Sequence, residues 1–164
     1  MKKFKEPQAL TSVAAFHQLF DLPVVDEPAI PASDRCRLRI NLLEEELKEL
    51  KDAISKGNVV AAADAFADLQ YVLSGAILEF GLGSRFKSLF DEVQRSNMSK
   101  ACATMEDAEA TLRHYKKQHG VDSEIVEKDG QYLVFRISDR KVLKSIQYSE
   151  ANLTYVIDTQ PITE

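Results

Sequence analysis

The chain has 164 residues, of which 45% are hydrophobic and 29% are charged, which is typical of a globular protein with its own core. Its 21 basic and 26 acidic residues give a net charge of −5, and no basic stripe is visible. This balance argues against a nucleic acid polymer as partner, because binding the phosphate backbone requires concentrated positive charge.

Cysteine use and the opening residues indicate the compartment. Cys36 and Cys102 stand far apart and form no CxxC pattern, which is typical of reduced thiols in small core positions. The start, MKKFKEPQAL, has charges but no apolar run after it, so we expect no signal peptide. No stretch approaches ~18 uninterrupted apolar residues, the length of a membrane span. We therefore expect a cytoplasmic protein without membrane association.

Helix signals dominate the first half of the chain. TSVAAFHQLFD predicts a short first helix capped by Thr11 or Ser12, followed by a loop with three prolines. Ser33 or Asp34 is the expected cap of a long second helix that ends near Lys56, before a glycine stop. A third helix is predicted over VVAAADAFADLQYVLSGAILEF. Its nearly continuous apolar surface predicts burial, in part by a partner chain.

The later elements end in a change of period. A fourth helix covers SRFKSLFDEVQRSNMSK, and Thr104 with Asp107 predicts the cap of a fifth helix that ends at Gly120. The Asp129–Gly130 pair between β-rich segments predicts a hairpin, and SEANLTYVID predicts a small terminal helix. The fold class is therefore mainly α, with a helical core in 1–104 and a C-terminal helix, hairpin and short helix in 105–164, all in one domain.

The second helix segregates its charges. Its predicted buried stripe has one aliphatic residue per turn: Leu43, Leu47, Leu50 and Ile54. One flank of this stripe carries acids alone: Glu45, Glu46, Glu49 and Asp52. The other flank mixes acids and lysines, which satisfy one another.

Two acids interrupt the apolar third helix. Asp64 and Asp68 lie four residues apart, and therefore on one face. If this face meets the acidic flank of the second helix, carboxylates ~5 Å apart repel by roughly 3 kcal/mol at an effective dielectric of 20. Such a cluster needs a cation, and oxygen ligands favour Mg²⁺, Mn²⁺ or Ca²⁺.

Two plainer interpretations compete with a metal site. The glutamates can form an ordinary solvated helix face. Asp64 and Asp68 can instead belong to a structural ion network with Arg37, Arg39 or Lys100.

Three sequence blocks together resemble a known family. EEELKEL, DAFADLQYVLSGAILEFG and FDEVQRSNMSK are similar, in order and spacing, to blocks of the MazG-like all-α nucleoside triphosphate pyrophosphohydrolases, in particular a phage and bacterial branch. The resemblance covers roughly Phe16 to Lys100. It implies a helical bundle that uses Mg²⁺, or Mn²⁺, to cleave a nucleoside triphosphate into the monophosphate and pyrophosphate. It also implies a homo-oligomer, either a dimer or a tetramer.

The resemblance also implies a set of ligands. The family signature EExxE is met in full, whereas in ExxD the glutamate position holds Ala65 and only the aspartate is kept. Asp64, one residue before Ala65, is the candidate replacement. The implied metal ligands are Glu46, Glu49, Asp64 and Asp68. Glu45 is the candidate catalytic residue, as a ligand of a second metal or to orient the attacking water.

Other residues are candidates for substrate contacts. In RSNMSK, Lys100 and Asn97 are expected at the phosphates, and Phe16 is expected to stack on the base. His17 is interpreted as a satisfied surface or core residue. The segment DRKVLKS is either a phosphate contact or a solvated edge.

Two other functions remain in competition. A di-iron bundle normally needs Glu-x-x-His pairs, and no histidine of this sequence has a glutamate three residues earlier. A non-catalytic helical module that binds a nucleotide or assembles into an oligomer is kept open by Ala65.

Overall fold

The structure is a computed structural model, and it describes residues 2–159. This part of the chain is mainly helical, with a two-stranded antiparallel sheet near its C-terminal end. The predicted fold class is therefore confirmed. The helices and strands are α1 (Ala9–Leu19), α2 (Ser33–Ser55), α3 (Val59–Glu79), α4 (Phe86–Met98), α5 (Met105–His119), β1 (Ser123–Lys128), β2 (Gln131–Arg136) and α6 (Leu153–Asp158).

The described residues form two compact units, 2–86 and 87–159. The first unit holds α1, α2 and α3, and α3 packs against both of the other helices. The second unit holds most of α4 together with α5, the hairpin and α6. The predicted single domain, with 1–104 as its core and 105–164 attached, stays a prediction.

The predicted starts of the first two helices are wrong. α1 begins at Ala9 and α2 at Ser33, and neither has a side chain that caps its free N–H groups. A polar side chain caps a helix only when its own backbone is not yet helical. The candidate caps Thr11, Ser12, Ser33 and Asp34 all lie inside the helices. The cap of α3 is Asn58, whose Oδ1 accepts from the amides of Val60 and Ala61 at 3.1 Å.

The predictions for the second unit are confirmed at its turns. Thr104 Oγ1 accepts the amide hydrogen of Asp107 at 3.1 Å, and Gly120 ends α5 at φ +63°. In the hairpin, Lys128 pairs with Gln131 across a two-residue loop. Asp129 and Gly130 have φ values of +51° and +75°. Positive φ at both central residues is what a tight hairpin of this twist requires.

Burial within the first unit is less complete than the sequence predicts. In α3 the C-terminal half is buried around Ile77 and Leu78, but Val59 and Phe66 near its start are 77% and 59% exposed. In the predicted stripe of α2, Leu50 is buried and Ile54 is 64% exposed. Within this unit, α1 and α2 cover only one side of α3, so the apolar surface exceeds what they can bury.

The core of the second unit lies between α5 and the hairpin. Its buried residues are Cys102, Ala108, Val134 and Leu143. Cys102 is therefore a core thiol, as predicted, whereas Cys36 is only half-buried and donates to the carbonyl of Pro31 at 3.3 Å. No helix between residues 2 and 159 is long and apolar enough to cross a membrane.

Candidate active site

Helices α2 and α3 present five carboxylates, which we call the acidic cluster: Glu45, Glu46, Glu49, Asp64 and Asp68. Three of them come from consecutive turns of α2, and two come from consecutive turns of α3. Glu46 is half-buried and the other four are exposed. The cluster is thus at the surface of the helix pair, with one member partly withdrawn from water.

The charges of both helices act on Glu46. Burial raises the pKa of Glu46, and the negative charges of Asp68, Glu49, Glu45 and Asp64 raise it further, in that order. Since Asp68 is the largest of these charge effects, the two helices bring their acids into one region. This supports the predicted convergence of the two acidic faces.

The composition of the cluster fits a hard divalent cation. All its donors are carboxylate oxygens, the ligands that Mg²⁺ prefers. Within residues 2–159, the carboxylates of Asp64 and Asp68 take part in no ion pair, so the predicted alternative of a structural ion network is not what these residues form. Over the same range, no three acidic, histidine or cysteine side chains are grouped closely enough to form a ready-made metal site. The metal ligands therefore stay a prediction.

A very different carboxylate lies at the other end of α3. Glu79 is buried, with 2% of its surface exposed, and it accepts hydrogen bonds from two arginines of α2. Arg39 donates to its Oε1 at 2.7 Å, and Arg35 is bonded to both of its oxygens. Burial alone raises the pKa of Glu79, but these hydrogen bonds and charges outweigh burial and hold that pKa below its ordinary value.

His17 extends this group of buried polar residues to α1. Its Nδ1 lies 2.7 Å from the carbonyl oxygen of Pro23, and its Nε2 lies 2.9 Å from Nη2 of Arg39. A carbonyl only accepts and a guanidinium only donates, so the neutral imidazole with its hydrogen on Nδ1 satisfies both contacts. The interpretation of His17 as a satisfied core residue is confirmed.

Gly75 makes room for this arrangement. A Cβ atom at this position would lie 2.6 Å from Nη1 of Arg39 and 3.1 Å from Nε2 of His17. The close approach of α3 to the buried guanidinium therefore requires a residue without a side chain. We call Glu79, Arg39, Arg35 and His17, which meet beside Gly75, the buried polar network.

A cavity of about 260 Å³ lies next to the acidic cluster and the buried polar network. Its walls include Phe16 of α1, Leu42 and Arg39 of α2, and Tyr71 and Val72 of α3. Leu42 lies one helical turn before Glu46, and Val72 lies one turn after Asp68. The cavity and the acidic cluster thus occupy adjacent turns of the same two helices.

The cavity accounts for one predicted substrate contact. Phe16 is 38% exposed and its ring meets that of Tyr71 edge to face, with centroids 5.7 Å apart. Two aromatic faces at the wall of a mainly apolar cavity suit a planar ring system. Stacking of Phe16 on a base nevertheless stays a prediction.

The other two predicted substrate residues belong to the second unit. Lys100 Nζ donates to Oδ1 of Asn97 at 2.7 Å. Arg95, one turn earlier, donates to Glu92, to Ser149 Oγ and to the carbonyl of Glu150, so its contacts are within the unit. The role of Lys100 and Asn97 at the phosphates stays a prediction.

The sequence reasoning missed the partners of Glu79. Arg39 is only one of three possible partners that the sequence offers for Asp64 and Asp68, and Arg35 is not among them. A signal was present, because Glu79 stands on a strongly apolar helix, where a buried acid needs a positive partner. The arginines at alternate positions in RCRLR were the nearest candidates.

The fold and this site define a mainly α protein in which two paired helices offer carboxylates without basic partners among residues 2–159, beside a cavity with aromatic walls. Comparison with known families places it more closely. Residues 13–97 match the family model of phosphoribosyl-ATP pyrophosphohydrolase, which is slightly more than half of the chain. The chain belongs to this family, and the family lies within the MazG-like all-α superfamily. The match contains the acidic cluster and the cavity.

Membership confirms part of what the motifs imply. The family's description names a pyrophosphohydrolase of phosphoribosyl-ATP. The resemblance to the MazG-like superfamily is confirmed, whereas the phage and bacterial branch stays a prediction.

A curated relative extends the similarity beyond the family segment. An uncharacterized protein of Acanthamoeba polyphaga mimivirus is 26% identical over 156 residues, covering 84% of this chain and 62% of the relative. The chain therefore spans less than two thirds of that relative's length. Because 84% is more than residues 13–97 can supply, the similarity includes part of the region after residue 97.

Proposed function

We propose that the protein hydrolyses a nucleoside triphosphate between its α and β phosphates, with Mg²⁺, to the monophosphate and pyrophosphate. The observation that carries the proposal is the position of five carboxylates on α2 and α3 inside the segment that matches the family model. The raised pKa of Glu46 on α2 supports it, because the charges of Asp68 and Asp64 on α3 contribute to that shift. Between residues 2 and 159 these acids form no ion pair with a basic residue, whereas a triphosphate is itself strongly negative. A divalent cation is the group that would make the two compatible.

The residues of the acidic cluster have separate roles in this proposal. Glu46, Glu49, Asp64 and Asp68 would hold Mg²⁺, with Mn²⁺ as an alternative. When bound, the cation polarises a phosphate and lowers the pKa of a water molecule. Glu45 lies beside Glu46 on α2 but is exposed, and it would orient the attacking water or serve a second cation.

The cavity is proposed to hold the base. Its volume of about 260 Å³ is below the ~300–1,000 Å³ typical of sites that enclose a whole small molecule, so it suits one part of a nucleotide. Phe16 and Tyr71 would contact the ring faces. Arg39 lines the cavity, and its buried Nε, which has no hydrogen-bond partner among residues 2–159, would donate to an acceptor on the base. Asn97 and Lys100 are proposed to bind phosphate oxygens.

The family match favours a second candidate substrate. Phosphoribosyl-ATP, named in the family's description, is also a triphosphate from which pyrophosphate is released. The same carboxylates would serve it, and the difference would lie in the group attached to the base. We include it in the test below for this reason.

The experiment is an assay for pyrophosphate with a panel of ribo- and deoxyribonucleoside triphosphates and phosphoribosyl-ATP. We expect release from at least one of them with Mg²⁺ or Mn²⁺, and none with EDTA. Glu46→Gln should abolish release, whereas Glu44→Gln, on the opposite flank of α2, should retain it. Stabilisation by metal without turnover of any substrate would instead favour the non-catalytic module that Ala65 keeps open.

We also propose a homo-oligomer, either a dimer or a tetramer. Val59, Val60 and Phe66 on α3 and Ile54 on α2 are all more than half exposed, which leaves apolar surface uncovered in the first unit. A second copy of the chain would cover it. Sedimentation that shows only monomer at micromolar concentration would contradict this proposal.

A further inference from the structure

The second unit contains a cavity of its own, between α5, β2 and the segment that follows the hairpin. Its volume is about 500 Å³, within the ~300–1,000 Å³ range of small-molecule sites. Its polar lining residues are Lys100, Tyr115, His119, Arg136, Lys141 and Lys144, and the remaining three are aliphatic. We call it the basic cavity. All its lining residues lie outside the segment matched by the family model.

The charged residues that line the basic cavity are all positive. None of the residues from 87 to 159 that line it is a carboxylate. Arg136 is neutralised by Asp139, to which its Nε donates at 2.7 Å. Asp139 also acts on Lys141, whose backbone amide donates to its Oδ1 at 3.2 Å, although the two side chains form no ion pair. Lys100 and Lys144 have no acidic partner in the part of the chain described. This concentration stands out in a chain whose net charge is −5.

The contacts of these lysines leave their charge available. Lys100 Nζ donates to the neutral amide oxygen of Asn97, and Lys144 Nζ lies 4.1 Å from the ring centroid of Tyr148. Neither contact cancels a unit charge as a carboxylate would. Like charges held near one another repel, so an anion entering the cavity would relieve that repulsion.

The backbone holds two of the lysines in place before any ligand arrives. The amide of Leu143, between Lys141 and Lys144, donates to the carbonyl of Val134 in β2 at 2.8 Å. The carbonyl of Lys141 accepts from the amide of Arg136 at 2.9 Å. Tyr115 Oη accepts from the amide of Lys144 at 3.2 Å, so its own hydrogen can be donated into the cavity. Preorganised donors lower the cost of binding.

We propose that the basic cavity binds the di- or triphosphate group of a small molecule without a divalent cation. Three ammonium groups, a tyrosine hydroxyl and a histidine match the several negative oxygens of such a group. The two sources with this chemistry are a free polyphosphate, such as the pyrophosphate product, and the phosphate tail of a nucleotide. This proposal shares Lys100 with the proposed function, but it does not rest on that function, because it involves neither the acidic cluster nor its metal.

Calorimetric titration of the full chain with inorganic tripolyphosphate in EDTA tests the proposal. EDTA removes the cations that the acidic cluster would need to bind a phosphate, so binding under this condition reports on the basic cavity. We expect one site per chain, with affinity that falls as salt is added. Absence of binding at low salt would overturn the proposal.

Two double variants with equal loss of charge give the control. Lys141→Gln with Lys144→Gln should weaken binding by about tenfold or more, since two charge-assisted contacts are lost. Lys117→Gln with Lys128→Gln removes the same charge from exposed positions of the second unit outside the cavity, and should leave affinity unchanged. An equal loss in both variants would mean general attraction rather than a site, and would overturn the proposal.

A second titration separates the two sources. Pyrophosphate and a non-hydrolysable nucleoside triphosphate are each titrated in EDTA. Similar affinities support recognition of the phosphate group alone, and tighter nucleotide binding that the cavity variant weakens supports a nucleotide tail. Nucleotide binding that the cavity variant leaves unchanged, with no polyphosphate binding, would overturn the proposal. Turnover with Mg²⁺ is measured separately, so failure here and failure of the proposed function are distinguishable.

Discussion

The carboxylates at the two ends of α3 differ in their exposure to solvent, in their partners and in the effects on pKa. Near its start, Asp64 and Asp68 are exposed and raise the pKa of Glu46 on α2. At its last residue, Glu79 is buried against Arg35 and Arg39, and its pKa is lowered. The acids near the start of α3 have no basic partner among residues 2–159, whereas Glu79 at its end is paired with two arginines.

This contrast separates an acid that serves the fold from acids that are proposed to serve a ligand. A buried carboxylate is tolerated only when partners within the chain offset its loss of water, as at Glu79. The acids around Glu46 receive no such partner from residues 2–159, although arginines were available on the same helix. Their compensation is therefore expected from outside the chain, which supports the proposed cation.

The largest expected effect is a loss of stability when Glu79, at the end of α3, loses its charge. Glu79→Gln should destabilise the protein by about 3–5 kcal/mol, because Arg39 would remain buried without its counter-charge. Urea unfolding followed by circular dichroism measures this change. Glu109→Gln, which breaks an exposed pair with Arg113, is the control and should have little effect. A similar small effect for Glu79→Gln would remove the contrast between the two ends.

The difference in stability between wild type and Glu79→Gln should also depend on pH. The folded-state pKa of Glu79 is below its ordinary value of 4.5, so its stabilisation is fully present above the unfolded-state pKa. It is lost as the pH falls through the folded-state pKa. The difference in stability between wild type and Glu79→Gln should therefore be constant near neutrality and shrink in acid. A difference that grows in acid would contradict the assignment.

Near the start of α3, Asp68→Asn should lower pyrophosphate release by about 100-fold or more while the protein stays folded. Loss of a metal-ligand oxygen should cost at least as much as the 10–100-fold of a residue that only supports a ligand. Steady-state kinetics at several Mg²⁺ concentrations measure it. Partial recovery at high Mg²⁺ would agree with weakened metal binding, and full activity would remove Asp68 from the ligand set.

Gly75→Ala tests the tight approach of α3 to the buried polar network. Helix propensity alone predicts stabilisation by about 1 kcal/mol, since alanine is the better helix former. The added methyl group would instead press on Arg39 and His17, and we expect a net loss of about 1–3 kcal/mol. The sign of the change in thermal unfolding decides between the two effects.

The smallest effect is expected from Glu46→Gln without metal. The folded-state pKa of Glu46 is raised, so the native state binds more protons there than the unfolded state, and stability falls as the pH rises through this interval. At neutral pH in EDTA the variant should therefore melt slightly above wild type, and the gap should close in acid. Mg²⁺ should stabilise wild type but not the variant.

Local signals were sufficient for much of the fold. The Asp129–Gly130 turn and the Thr104 cap depend on backbone geometry that the residues themselves favour, and both were predictable. Thr11 and Ser12 show the limit, because a residue that caps helices also fits inside one. The contrast between α3's exposed start and buried end was not predictable, since it depends on which surfaces the neighbouring helices reach.

The candidate site likewise has one part that local sequence signals predict and one part that they do not. The acidic cluster follows from spacing on two helices and from motif resemblance. The pairing of Arg39 with Glu79 joins residues 40 positions apart in the sequence and depends on how α2 crosses α3. The use of both ring nitrogens of His17 depends in addition on the path of the loop through Pro23, which no local pattern specifies.

The imidazole of His17 ties α1 to Arg39 and to its own following loop, and buried Val13 and the ring contact of Phe16 with Tyr71 complete the attachment of this helix. Opening of α1 would expose the cavity while α2 and α3 remain paired. Nucleotide binding should therefore slow hydrogen exchange at the amides of α1, and Mg²⁺ alone should not. Admission of the base and assembly of the metal site would then be governed by separate local equilibria.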